Sequence, residues 1–250
     1  MYNIYMELDL LAEKFETKDF ILNDPIQFPH RYKDIKDIEI SGFISSLFAY
    51  GNRQVFVKKL DELFSLMQNK PFEYISNSDF KNLKGFNYRF AKDFDIIEVL
   101  KILNILYSKD GGLKSLFEYG WNRENDIYSM FKTVTDYFYS RVKNEVGQGF
   151  YHLIPNPEHN GTMKRMNMLM RWFVRDGNVD LGIWKFIPRS KLLIPMDVHV
   201  ARISREMGLL TRKSNDKKAV LELSENLRKL NPDDPIRYDF AMFGKGINRQ

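Results

Sequence analysis

Ile194-Pro195-Met196-Asp197-Val198-His199-Val200-Ala201-Arg202-Ile203 joins a proline, an acid and the start of an apolar stripe that continues through Val200, Ile203 and Met207. That spacing is helical. An aspartate just ahead of it accepts hydrogen bonds from the first free backbone amides and suits the positive end of the helix dipole. Taken alone, Asp197 is a helix cap. Working outward, the same apolar periodicity recurs over 40–48, 56–67, 96–106, 127–138, 166–173 and 220–230. No sustained two-residue alternation bounded by turn residues interrupts it, so the sequence predicts an all-α fold with little or no sheet. Asn23-Asp24-Pro25, Asp110-Gly111-Gly112, Gly147-Gln148-Gly149, the Pro-rich run Leu153–Gly161 and Asn231–Pro235 punctuate it.

The chain has 250 residues, 44% of them hydrophobic, with 20 Phe and 13 Tyr, so aromatic side chains dominate the expected packing. It has no cysteine, which excludes disulfides, thiolate zinc sites and cysteine-bound iron–sulfur clusters. His30, His152, His159 and His199 show no ligand spacing, and neither a metal nor another cofactor is expected. Met1–Asp9 carries acids and no basic segment, and no apolar run approaches the roughly 20 residues of a membrane span. A cytoplasmic protein without a membrane partner is the expectation. The net charge of +5 is uneven. From Gly161 onward there are 18 Lys/Arg against 10 Asp/Glu, a net of +8, which leaves −3 for the first 160 residues. A basic C-terminal third fits a surface that meets a polyanion, although solvated helix faces also produce such runs.

The segment around Asp197 resembles the helix-hairpin-helix DNA glycosylases, in which an aspartate opening a helix is both its cap and the catalytic carboxylate. The resemblance covers about 37–67 and 151–246. It implies a two-lobed helical fold with a cleft between the lobes: one domain over residues 1–250, built of two interleaved lobes, with the hairpin and catalytic region at about 151–207. Glycosylases that also cut the strand use an amine nucleophile. Lys164, at the head of the stripe Met166–Phe173, is the best candidate. Arg165 is adjacent, and Arg171 and Arg175 follow on the same side, where neighbouring cations would favour a neutral amine. Lys191 is the second choice. The 33-residue interval from Lys164 to Asp197 is similar to that of the archaeal 8-oxoguanine DNA glycosylase branch.

Further contacts follow from the same resemblance. Asn52, Arg53 and Gln54, beside Tyr50-Gly51, would face DNA, as would Arg165, Arg171, His199 and Arg202. Asp239 and Phe243 share a helix face and would hold the extruded base by hydrogen bonding and stacking, with Trp172 and Trp184 as further stacking candidates. The Leu-Pro-Gly-x-Gly hairpin of the family is absent: Leu153-Ile154-Pro155-Asn156-Pro157 stands there, followed by Gly161 alone. From Tyr50-Gly51-Asn52-Arg53, Lys164-Arg165-Met166-Asn167, Arg171–Arg175 and the Asp197 segment, the chain is identified as a member of the DUF2400 family, a name that implies no activity. The expected function is a base-excision glycosylase with AP lyase activity, acting as a monomer on double-stranded DNA that carries an oxidised base, 8-oxoguanine being the lesion suggested. The alternative is a non-catalytic DNA- or RNA-binding helical protein on the same scaffold.

Overall fold

The computed structural model describes residues 2–247. The fold is all-helical: among the described residues no strand forms, and only the isolated bridges Tyr88–Ala91 and Asp176–Leu181 interrupt the helical pattern. Helices α1 (Tyr2–Phe15) and α2 (Lys18–Ile21) come first. They are followed by α3 (Ile35–Phe48), α4 (Arg53–Leu66), α5 (Pro71–Asn77), α6 (Asp93–Lys109), α7 (Gly112–Glu124), α8 (Ile127–Tyr139) and α9 (Gln148–Leu153). The last four are α10 (Lys164–Val174), α11 (Val198–Glu206), α12 (Lys217–Leu230) and α13 (Tyr238–Ile247). The chain forms two compact units: residues 24–157 make one, and the segments on either side of them make the other.

In the unit 24–157, short polar side chains set where helices start. Asp34 caps α3 at Lys36 N (2.9 Å), Asn52 caps α4 at Val55 N (3.3 Å), and Asp126 caps α8 at Ser129 N (2.8 Å). Helix α3 is the centre of this unit. Every residue from Glu39 to Phe48 is buried, so its sequence carries little amphipathic signal. Its small residues Ser41, Gly42, Ser45 and Ser46 let neighbours close in, Phe43 stacks on Phe138 of α8, and buried Glu39 accepts a hydrogen bond from Tyr107 OH at 2.8 Å.

In the second unit, α1 packs along α13. Gly244 permits that close approach, since a Cβ there would collide with the Phe15 ring. Helix α10 is buried on all sides from Met166 to Val174. Helix α12 follows its cap Asp216, which accepts from Ala219 N at 3.1 Å, and buries Ala219, Val220, Leu223 and Leu227. No helix among the described residues is long and apolar enough to cross a membrane.

Candidate active site

The candidate site lies in the second unit, at the heads of α10 and α11. Asn160 and Met163 adopt left-handed backbone (φ 57° and 50°) as the chain leaves the Pro-rich loop, and Lys217 N donates to Asn160 O at 3.1 Å. Lys164 is thereby the first residue of α10. Pro195 and Met196 are buried, and Asp197 opens α11, its Oδ1 accepting from both His199 N and Val200 N at 2.9 Å. Its other oxygen, Oδ2, accepts from Lys164 Nζ at 2.9 Å. The cap leaves one carboxylate oxygen for the amine, so the same residue does both. Lys164 retains 34% side-chain exposure and Asp197 18%, which leaves the pair reachable from solvent.

Burial pushes the Asp197 carboxyl up, but the Lys164 charge, the Val200 amide and the hydrogen bond from Lys164 together hold it below the usual carboxylate range. Asp197 is therefore an anion at neutral pH. Asp239 of α13 shows the opposite balance. Burial dominates, Arg171 works against it, and the negative charge of Asp197 adds to it, so the Asp239 carboxyl is pushed up to about 6. Asp239 thus senses the charge of the Lys164–Asp197 pair.

Behind the pair, α10 presents two buried arginines one turn apart. Arg171 reaches Asp180 (Nε to Oδ1, 3.2 Å) and Asp239. Arg175 reaches Asp180 at 2.9 Å, Asp234 at 3.0 Å and Glu16 in a two-point contact with lengths of 2.5 and 3.0 Å. Both guanidiniums lie near the Phe240 ring, at 4.4 and 5.6 Å from its centroid. Four carboxylates thus surround two guanidiniums. Burial raises Asp180 as well as Asp239, with the charge of Glu16 adding to it at Asp180. The network joins the end of α1, α10, the 176–182 turn, the 231–235 loop and α13.

Several expected contacts are corrected by this arrangement. Arg171 is 4% exposed and fully engaged by carboxylates, so it does not meet DNA, and neither Arg171 nor Arg175 supplies uncompensated positive charge to Lys164. The charge in contact with Lys164 is an anion. Trp172 and Trp184 are fully buried, with Trp184 edge-on to Phe173 at 4.8 Å, so neither offers a face to a base. A helix buried all round from Met166 to Val174 has no solvent face to which Arg171 and Trp172 could turn.

The other candidates stand as follows. Asp239 is buried and held by Arg171, and half-buried Phe243 packs edge-on against Phe20 at 5.6 Å. Arg165 and His199 are half-buried, while Arg202 is exposed and paired with Glu206 at 2.9 Å. Asn52 and Gln54 are exposed and Arg53 partly so, at the head of α4 in the other unit. Lys191 sits exposed in the short 3-10 turn Arg189–Lys191. Glu16, Asp180 and Asp234 were missed. Their signal was Arg171 and Arg175 flanking the apolar run Trp172-Phe173-Val174, where buried guanidiniums demand buried carboxylates.

A pH dependence follows from Asp239. An unfolded aspartate titrates near 3.9, so between about 4 and 6 the folded chain holds a proton that the unfolded chain has lost. This group's contribution to stability is present in acid and is lost as the pH rises through about 6. The stability advantage of wild type over Asp239→Asn is therefore expected to be larger at about pH 4.5 than at about pH 7.5. Urea unfolding at the two pH values measures it, and an advantage that grows with pH would contradict the assignment.

No curated protein and no solved structure shows a significant match to the chain. A family model does: it is described as a protein of unknown function (DUF2400), it matches residues 24–248, and the chain belongs to that family.

Proposed function

We propose that the protein is a DNA glycosylase with AP lyase activity that removes an oxidised base, with Lys164 as nucleophile and Asp197 as its carboxylate partner. The observation that carries this reading is the 2.9 Å contact between a partly exposed lysine at one helix head and an ionised, helix-capping aspartate at another. The net charge of +8 from Gly161 onward supports a polyanionic substrate. Resemblance of the Asp197 segment to helix-hairpin-helix glycosylases supports the reaction class, and the 33-residue interval supports 8-oxoguanine as the lesion.

In the proposed reaction, the Lys164 proton passes along the hydrogen bond to Asp197, and Nζ forms a bond to C1′ of the extruded nucleotide. The C1′–N bond breaks and its electron pair leaves with the base, which takes up a proton. Cleavage of C1′–O4′ then gives an imine to Lys164, and loss of a C2′ proton expels the 3′ phosphate. The low proton affinity of Asp197 keeps it anionic at rest; once the Lys164 proton has moved on from Asp197 to the departing base, the carboxylate is an anion again and balances the positive charge that develops on the sugar.

Borohydride reduction during reaction with an 8-oxoguanine duplex or an abasic duplex tests this. The expected result is a covalent protein–DNA adduct that Lys164→Gln abolishes. Salt-sensitive DNA binding with no adduct on either substrate would instead support a non-catalytic DNA-binding protein.

A further inference from the structure

The segment Lys81–Lys92 (Lys-Asn-Leu-Lys-Gly-Phe-Asn-Tyr-Arg-Phe-Ala-Lys) carries four cations, three aromatic rings and no acid, within a stretch of 160 residues whose net charge is −3. Lys81 is paired with Asp79, whereas Lys84, Arg89 and Lys92 are in no ion pair among the described residues. The chain reverses tightly here. Tyr88 and Ala91 exchange two backbone hydrogen bonds of 2.9 Å, and Arg89 takes left-handed backbone at φ 52°. Turns of this type favour Asn or Gly at such a position, yet Arg89 and Phe90 form the tip, and Phe90 is 58% exposed.

The tip is held rigidly from below. Tyr88 is buried, stacks on Phe48 at 5.4 Å, donates its hydroxyl to Tyr50 O and accepts from Tyr50 OH at its own carbonyl at 3.3 Å. Gly149 of α9 lies so close that a Cβ there would collide with the Phe90 carbonyl. The His152 ring lies 4.4 Å from Tyr50 and 5.2 Å from Phe90. The Arg89 guanidinium sits 5.7 Å from both the Tyr50 and Phe90 rings and passes over Gly51, where an added Cβ would be 2.5 Å from its Nη1. A Cβ at position 51 would force the guanidinium to shift. The result is an exposed aromatic ring beside a positioned guanidinium that has no carboxylate partner among the described residues.

We propose that the Arg89–Phe90 tip is a nucleic-acid contact, in which Phe90 stacks on an unpaired or unstacked base and Arg89 takes a neighbouring phosphate. A flat ring pairs with any base face and a guanidinium fork with phosphate oxygens. The choice of nucleic acid as partner rests on the glycosylase reading, but the contact itself makes no use of Lys164.

Fluorescence titrations of DNA with 2-aminopurine opposite an abasic site, repeated over a range of salt, test the contact. Phe90→Ala is expected to weaken binding roughly 5- to 100-fold and remove the 2-aminopurine quench while leaving the salt slope unchanged. Arg89→Ala is expected to lower the slope of log K against log salt by about 1. Gly51→Ala, which displaces the guanidinium but keeps Phe90, is expected to reproduce the Arg89→Ala slope. Melting temperatures matching wild type establish that the variants are folded.

Binding, quench and slope unchanged in all three variants would overturn the contact, even with the borohydride adduct intact. No adduct from wild type, together with weakened binding by the variants, would overturn the glycosylase reaction and leave the contact standing. Equal displacement by an acidic polypeptide, without a quench in wild type, would overturn nucleic acid as the occupant.

Discussion

Arg175→Met is expected to cost about 3–5 kcal/mol of stability, the range found when one member of a buried ion pair is removed. Methionine keeps most of the apolar stem, so the loss measures the charge. Arg175 is 3% exposed and faces Glu16, Asp180 and Asp234, three carboxylates of which Asp180 also meets Arg171. Those anions hold the guanidinium protonated against the effect of its burial; without it Glu16 and Asp234 would lose their guanidinium and Asp180 would keep only Arg171. A domain of ordinary stability, about 5–15 kcal/mol, would give up a large fraction of it. Arg175→Lys should recover little, because an ammonium cannot reach three carboxylates in fixed fork geometry. Arg202→Met provides the control: its pair with Glu206 is exposed on both sides, and the expected change is within about 0.5 kcal/mol. Urea unfolding separates the two cases, and equal small shifts for Arg175→Met and Arg202→Met would contradict the role given to the network.

Asp197→Asn separates the two tasks of the candidate carboxylate. Asparagine caps a helix about as well as aspartate, so the bonds to His199 N and Val200 N can persist and stability should change by less than about 1 kcal/mol. The charge facing Lys164 disappears. If Asp197 balances the cationic sugar and takes the Lys164 proton, the rate of adduct formation should fall by about 10²-fold or more. Asp197→Ala removes cap and charge together and should lose about 1 kcal/mol in addition. Single-turnover trapping beside thermal melts reads both quantities. An Asp197→Asn variant that traps at the wild-type rate would reduce Asp197 to a cap.

The helices most legible in the sequence were those with one apolar face. The stripes around Phe56–Met67, Ile127–Phe138 and Val220–Leu230 correspond to α4, α8 and α12. Helix α7 was not read because Gly111-Gly112 looked like a stop, whereas left-handed Gly111 and Gly112 start the helix and Asn125, at φ 52°, ends it. Helix α1 was not legible because acids interrupt its apolar residues and the helix it packs against, α13, lies far along the sequence. At the candidate site, Lys164 and Asp197 were each legible as helix heads, which are marked by proline, aspartate and the first apolar repeat, but their pairing came only from the resemblance to the glycosylases. The arginine network was not legible. Glu16, Asp180, Asp234 and Asp239 come from separate segments, and only tertiary packing shows that α10 has no face left for solvent.

In the proposed reaction Lys164 Nζ becomes covalently joined to the sugar. Mass spectrometry of peptides from the borohydride-reduced adduct on an abasic duplex tests it most directly. The sugar remnant is expected on Lys164, in the peptide that begins α10. A remnant on Lys191, on the terminal amine or on no residue would contradict it.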